Sequence, residues 1–178
     1  MAQPALEAPP TFSASKILTA DLLSGPNHRV DERVANDGFM NRYLINSDFG
    51  PFSANSDTEL SIRVSEVHAL ARLDEASRSE EFAKGVGKAG RDVLETTSGA
   101  VTDPKGTVSD TAKGAKELFK SIGRSLRGKS SGGVSDMVGY SRAKRQYAIA
   151  FGVDPYSTNP VLQEHLDRIS RAGFVGDV

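Results

Sequence analysis

Gly123-Arg-Ser-Leu-Arg-Gly128-Lys129-Ser130 satisfies the phosphate-cradling pattern G-x-x-x-x-G-K-[ST] letter for letter. Such a loop works by hanging from the end of a buried strand, with its backbone N–H groups and the next helix N-terminus aimed at the phosphates. Here Phe119, Ile122 and Leu126 carry helical spacing into the motif, and Ser131-Gly132-Gly133 after it resists helix formation. Gly85-Val-Gly87-Lys-Ala-Gly90 matches the dinucleotide pattern G-x-G-x-x-G, yet it lies inside a helical period with no strand before it. Asp48-Phe49-Gly50 has the letters of a magnesium-binding kinase motif without a catalytic loop or lysine strand to work with, so it is a turn. No nucleotide site is expected from these matches.

The remaining chemistry-bearing residues are dispersed. His28, His68 and His165 are far apart and none forms an i, i+4 ligand pair, so each is expected to be solvent-exposed or satisfied within the core. Asp74-Glu75 and Glu80-Glu81 are adjacent on helices, where neighbouring side chains point apart. There is no G-x-S-x-G elbow. The chain has no cysteine, which excludes thiol catalysis, thiolate-bound zinc and disulfides. The sequence therefore assigns no catalytic residue, no metal ligand and no cofactor.

Charge is the signal that remains. Formal net charge is −1, which gives no global field for nucleic acid or an acidic membrane. Locally, residues 98–134 carry seven basic and three acidic side chains, whereas residues 57–97 carry six basic and nine acidic. Asp103-Pro104 is a cap-then-proline helix start. After it Val108, Ala112, Ala115, Phe119, Ile122 and Leu126 repeat at helical spacing, opposite Lys113, Lys116, Lys120, Arg124 and Arg127. These five are the candidate residues for an anionic surface. The plainest use of this face is solvation and pairing with the acidic stretch. Next comes an anionic membrane, where each basic residue adds about 1 kcal/mol, and then nucleic acid, for which aromatic residues to stack on bases are sparse.

The sequence thus predicts a non-enzymatic interaction or structural protein, able to associate with a membrane or cell-envelope surface through a basic amphipathic helix at about 104–127. Its partner would be an unidentified protein or an anionic membrane. A nucleic-acid-binding module using the same helix is the alternative, and an enzyme whose site is assembled only by folding is the second. The Ala/Pro-rich start resembles residues that follow a removed leader, so export is expected, with the cytoplasm as the alternative.

The positioning elements follow from periodicity. Residues 1–11 hold three prolines and are expected to be a disordered tail, with 12–178 a single domain. A short helix is predicted over Ser13–Ser24, ended by Gly25-Pro26. Residues 28–35 alternate as a strand with His28, Val30, Glu32 and Val34 on one face. Asn36-Asp37-Gly38 is a turn, and Phe39 to Ile45 a middle strand with Phe39, Tyr43 and Ile45 on one face. Ser47–Gly50 is a second turn, followed by a strand that Pro51 restricts to an edge. Ser56 or Asp57 caps a helix, with Glu59 placed for a capping box if Ser56 is the cap, and Leu60, Val64, Val67 and Ala71 form its inner stripe. The predicted class is α+β: a small three-stranded antiparallel meander (about 28–55) packed by a following helix, then a mostly helical C-terminal half. A helical bundle with peripheral hairpins is the alternative. Helices are expected at 79–95 and within 104–127, a flexible linker at 128–135, and a helical hairpin at 136–178, with Gly152 and Asn159-Pro160 at its corner and Gly173 as its end.

Overall fold

The computed structural model describes residues 9–78 and 136–175. The predicted helices at 79–95 and 104–127, the linker at 128–135 and residues 1–8 of the expected tail lie outside the described residues. The described residues fall into two compact units divided between His68 and Ala69.

The first unit is built on a curled antiparallel sheet, and the class is α+β. In chain order its elements are β1 (Thr11–Ser13), α1 (Ala14–Ile17), α2 (Ala20–Leu23), β2 (Ser24–Gly25), β3 (His28–Val30), β4 (Arg33–Asn36), β5 (Asn41–Ser47), β6 (Gly50–Ala54) and α3 (Asp57–Ser77). The strand order is β1-β4-β5-β3-β2, with β6 on the other side of β5. β5 is the centre: β6 pairs along 43–47, while β4 and β3 share its opposite edge. Alternation places Tyr43 and Ile45 inward, and they meet Val30, Val34, Ala54, Ala14 and the α3 residues Leu60 and Val64 in one core. Each large apolar side chain buried there contributes about 1.5–3 kcal/mol. Pro51 sits on β6, an edge strand, as its missing N–H requires.

The predicted strand 28–35 is present with an interruption. Val30 pairs with Ile45 and Ala35 pairs with Arg42, so four residues, 31–34, lie opposite two, Tyr43 and Leu44. The excess is a bulge. Because it is an even number, Val30 and Val34 both remain buried on the inner face. Glu32, expected beside them, is instead exposed at the bulge. There its carbonyl accepts from Ala14 N at 2.8 Å and its carboxylate from Ser15 Oγ at 2.6 Å.

These contacts correct two expectations. Thr11, assigned to the disordered tail, pairs with Ala35 in β1. The single helix predicted over Ser13–Ser24 is two separate turns, α1 and α2, because Leu18 (φ −105°, ψ 151°) and Thr19 (φ −70°, ψ 157°) are extended between them. Its ends are held in strand ladders by β1 and β2. Leu18, Leu22 and Leu23 still reach the core, so the apolar spacing was real although it did not mark one helix.

Both predicted turns form. Ser47 Oγ accepts from Phe49 N at 3.1 Å and donates to Gly50 O at 2.7 Å, and Gly50 takes φ +105°. Ser56 Oγ accepts from Glu59 N at 3.0 Å to cap α3. The Glu59 carboxylate reaches back one residue further than a standard capping box, to Asn55 N at 2.8 Å. On α3 the buried Glu66 accepts from Arg63 at 2.8 Å, an i, i+3 pair that gives the carboxylate a partner out of water.

The second unit contains the rest of α3, with Ala69, Leu70, Leu73 and Ala76 buried, together with α4 (Asp136–Phe151) and α5 (Pro160–Val175). Ala143, Tyr147 and Phe151 of α4 and Leu162, Leu166 and Ile169 of α5 are buried, as their spacing predicts. Gly152 ends α4 at φ +74°. Its N–H donates to Ile149 O, and Val153 N donates to Ala148 O at 2.9 Å, the paired bonds of a Schellman cap. Asn159 Oδ1 accepts from Val161 N and Leu162 N to start α5. Gly173 does not end α5, which continues to Val175.

Candidate functional site

Two arrangements in the first unit stand out, and neither was assembled by the sequence reading. The first joins His28 and His68. His28 opens β3 and points inward with Val30, 4% exposed. Its Nε2 lies 3.2 Å from Leu22 O. A carbonyl only accepts, so Nε2 carries the ring proton and Nδ1 is left as a lone pair. Nδ1 is buried and has no hydrogen-bond partner among the described residues. His68, four residues after Val64 on α3, brings its ring centroid to 5.3 Å from that of His28, with the planes tilted by 60°.

Gly25 explains how the rings come together. It pairs with His28 across the β2–β3 ladder. A Cβ placed on it would lie 2.7 Å from Cε1 and 2.9 Å from Nδ1 of His28, and 3.4 Å from Nε2 of His68. Any side chain at position 25 would therefore displace the His28 ring. Reduced hydration and the neighbouring His28 hold the His68 imidazole below its usual range. Among the described residues no group of three or more His, Cys, Asp or Glu converges on a common point, so this is a two-histidine arrangement. His165 belongs to the second unit, 3.4 Å from Arg168, held below the ordinary imidazole range by burial and then by the Arg168 charge.

The second arrangement is the β4–β5 turn. Asn36 pairs with Asn41, so residues 37–40 form the loop and Phe39 precedes the ladder instead of lying in it. Phe39 is 94% exposed and Met40 48% exposed. This corrects the expectation that Phe39 shares an inward face with Tyr43 and Ile45. The loop is nevertheless tightly tied. Gly38, at φ +96°, donates its N–H to Asn36 Oδ1 at 2.7 Å. Asp37 Oδ1 accepts from Phe39 N at 3.0 Å and Met40 N at 2.9 Å. These bonds, then the Arg42 guanidinium 3.3 Å away, hold the Asp37 carboxyl below its usual range. Beyond the loop Leu44, 57% exposed, lies on the outer face of β5 with Arg42.

The residues singled out for an anionic surface, Lys113, Lys116, Lys120, Arg124 and Arg127, lie outside the described residues. The histidine pair did leave a trace in the sequence: His28 alternates inward with Val30, and His68 extends the α3 stripe. Their meeting depends on strand register across the 39 intervening residues, which no local pattern specifies. Among the described residues no helix is long and apolar enough to cross a membrane. Comparison with protein-family models, with curated proteins and with solved structures gave no match to this chain.

Proposed function

We propose that this chain is a non-enzymatic interaction protein that associates with an anionic membrane or cell-envelope surface. In this reading the basic stretch 104–127 supplies charge and the Phe39-Met40 turn supplies an apolar anchor. The observation that carries the reading is Phe39, an aromatic ring left 94% in water on a loop whose backbone is fixed by Asn36 and Asp37. A fixed loop places the ring without the entropy cost of ordering a mobile one. Moving an aromatic side chain out of water is worth about 1.5–3 kcal/mol, and each basic residue near an anionic leaflet adds about 1 kcal/mol.

The test is co-sedimentation with vesicles of mixed phosphatidylserine and phosphatidylcholine at low salt. The wild-type chain should pellet with them. Phe39→Ser should weaken binding about 10- to 100-fold, the range that 1.5–3 kcal/mol represents. Charge reversal of Lys116, Lys120 and Arg124 to Glu should remove its salt-sensitive part. Absence of co-sedimentation at low salt would overturn the proposal. Binding to a DNA or RNA duplex with a steep salt dependence, and none to vesicles, would select the nucleic-acid reading instead.

A further inference from the structure

We propose that His28 and His68 form a binding site for a divalent transition-metal ion of the zinc, copper or nickel type, seated between the two rings beside Gly25. Three features of the first unit support it. The His28 tautomer is set by Leu22 O, which takes the Nε2 proton and leaves the Nδ1 lone pair free. This is how ligating histidines are commonly held: one ring nitrogen donates to a backbone carbonyl, and the other faces the metal. That lone pair is buried and without a partner among the described residues, a state that ordinarily costs stability. The His68 ring is its neighbour, with the two centroids 5.3 Å apart, and His28 Nδ1 and His68 Nε2 both border Gly25, 2.9 Å and 3.4 Å from where its Cβ would stand.

The donor set decides the class of ion. Imidazole nitrogens favour zinc, copper and nickel, whereas calcium and magnesium call for oxygen ligands. With no cysteine in the chain, thiolate does not compete. Binding would draw both nitrogens to about 2.1 Å from the ion. His28 is fixed by the core and His68 is exposed on its helix, so His68 is the ligand that swings. His68 is exposed, so water on its side would complete the coordination shell.

The chain holds three histidines, so the assignment can be tested by elimination. The full-length protein, stripped with chelator, is titrated with zinc chloride by calorimetry and with copper(II) under electron paramagnetic resonance. One ion per chain is expected, with two nitrogen ligands in the copper spectrum. His68→Gln should weaken zinc binding at least about tenfold, comparable to the loss of a supporting contact around a metal, and should reduce the nitrogen count to one. His68 is exposed, so this variant keeps its core, and an unchanged circular dichroism spectrum would establish that. Gly25→Ala should also lose the site, and His165→Gln should bind as wild type. No zinc uptake, or uptake by His68→Gln equal to wild type, would overturn the proposal.

Discussion

Tyr43 shows how much one polar atom can organise. Its ring is buried in the first core and its hydroxyl donates to Asp57 Oδ1 at 2.5 Å, while Asn41 Nδ2 donates to the same hydroxyl at 3.0 Å. Asn41 is tied in turn to Asn36, whose Nδ2 donates to Asn41 Oδ1 at 2.8 Å. A single chain of hydrogen bonds thus runs from the β4–β5 turn to the first residue of α3. Burial, reinforced by Asp57, pushes the Tyr43 phenol up to about 12. A folded pKa above the ordinary value of 10.0 means the stabilisation is complete below pH 10 and is lost as pH rises through 12. Tyr43→Phe should cost about 1–2 kcal/mol at neutral pH in urea unfolding, because the Asp57 carboxylate loses its shortest donor. The same variant should remove the tyrosinate absorbance change contributed by Tyr43 near pH 12. Equal stability of the variant and the wild type would show that Asn41 and solvent satisfy Asp57 alone.

Elements whose boundaries are set by adjacent residues were legible from the sequence. Ser56 before α3, Gly152 after α4 and Asn159-Pro160 before α5 all stand where capping chemistry puts them, since a cap needs only a side chain and the N–H two or three residues on. Asn159 is the strongest of these: buried, it accepts from two N–H groups of the first turn. Asn159→Ala should lower stability by about 1–2 kcal/mol, while Asn159→Asp keeps the acceptor and most of that stability. Thermal unfolding of the two variants side by side measures the difference. Elements defined by distant partners were not legible. β1 exists because Thr11–Ser13 meets Arg33–Ala35, and the split between α1 and α2 follows from anchors at both ends of a segment whose own pattern is helical. Phe39 differs for a related reason: strand-forming composition continues through the turn, and the Asp37 side chain, holding Phe39 N and Met40 N, carries the turn two residues beyond the Asn-Asp-Gly signal.

At the scale of the whole molecule, near-neutral overall charge sharpens what surface association must look like. A chain of net charge −1 has no long-range attraction to an anionic bilayer, so binding would depend on local groups within about 10 Å at 0.1 M salt. Vesicle association should therefore weaken steeply as salt is raised, leaving only the contribution of the Phe39-Met40 turn. Co-sedimentation across a salt series measures both parts: a plateau that Phe39→Ser removes, above a salt-sensitive component that charge reversal removes. A salt-independent curve would contradict the role given to the basic stretch. Periodicity disclosed the class and most of the inner faces, and composition disclosed the basic stretch, whereas the histidine pair appears only once β2, β3 and α3 are brought together.

The bulge at residues 31–34 has a consequence for the lengths this chain can tolerate. Two surplus residues advance the strand by one full pleat, so the side chains after them keep the same sidedness as those before. A sequence variant that drops one residue from this stretch would turn Val34 towards solvent and Ala35 into the core for the rest of the strand. Losing two would preserve sidedness and sacrifice only the anchor that Glu32 provides for Ala14 and Ser15. Length changes here should therefore survive selection in even steps, and a library of one- and two-residue deletions scored for soluble folded protein would display that rule directly.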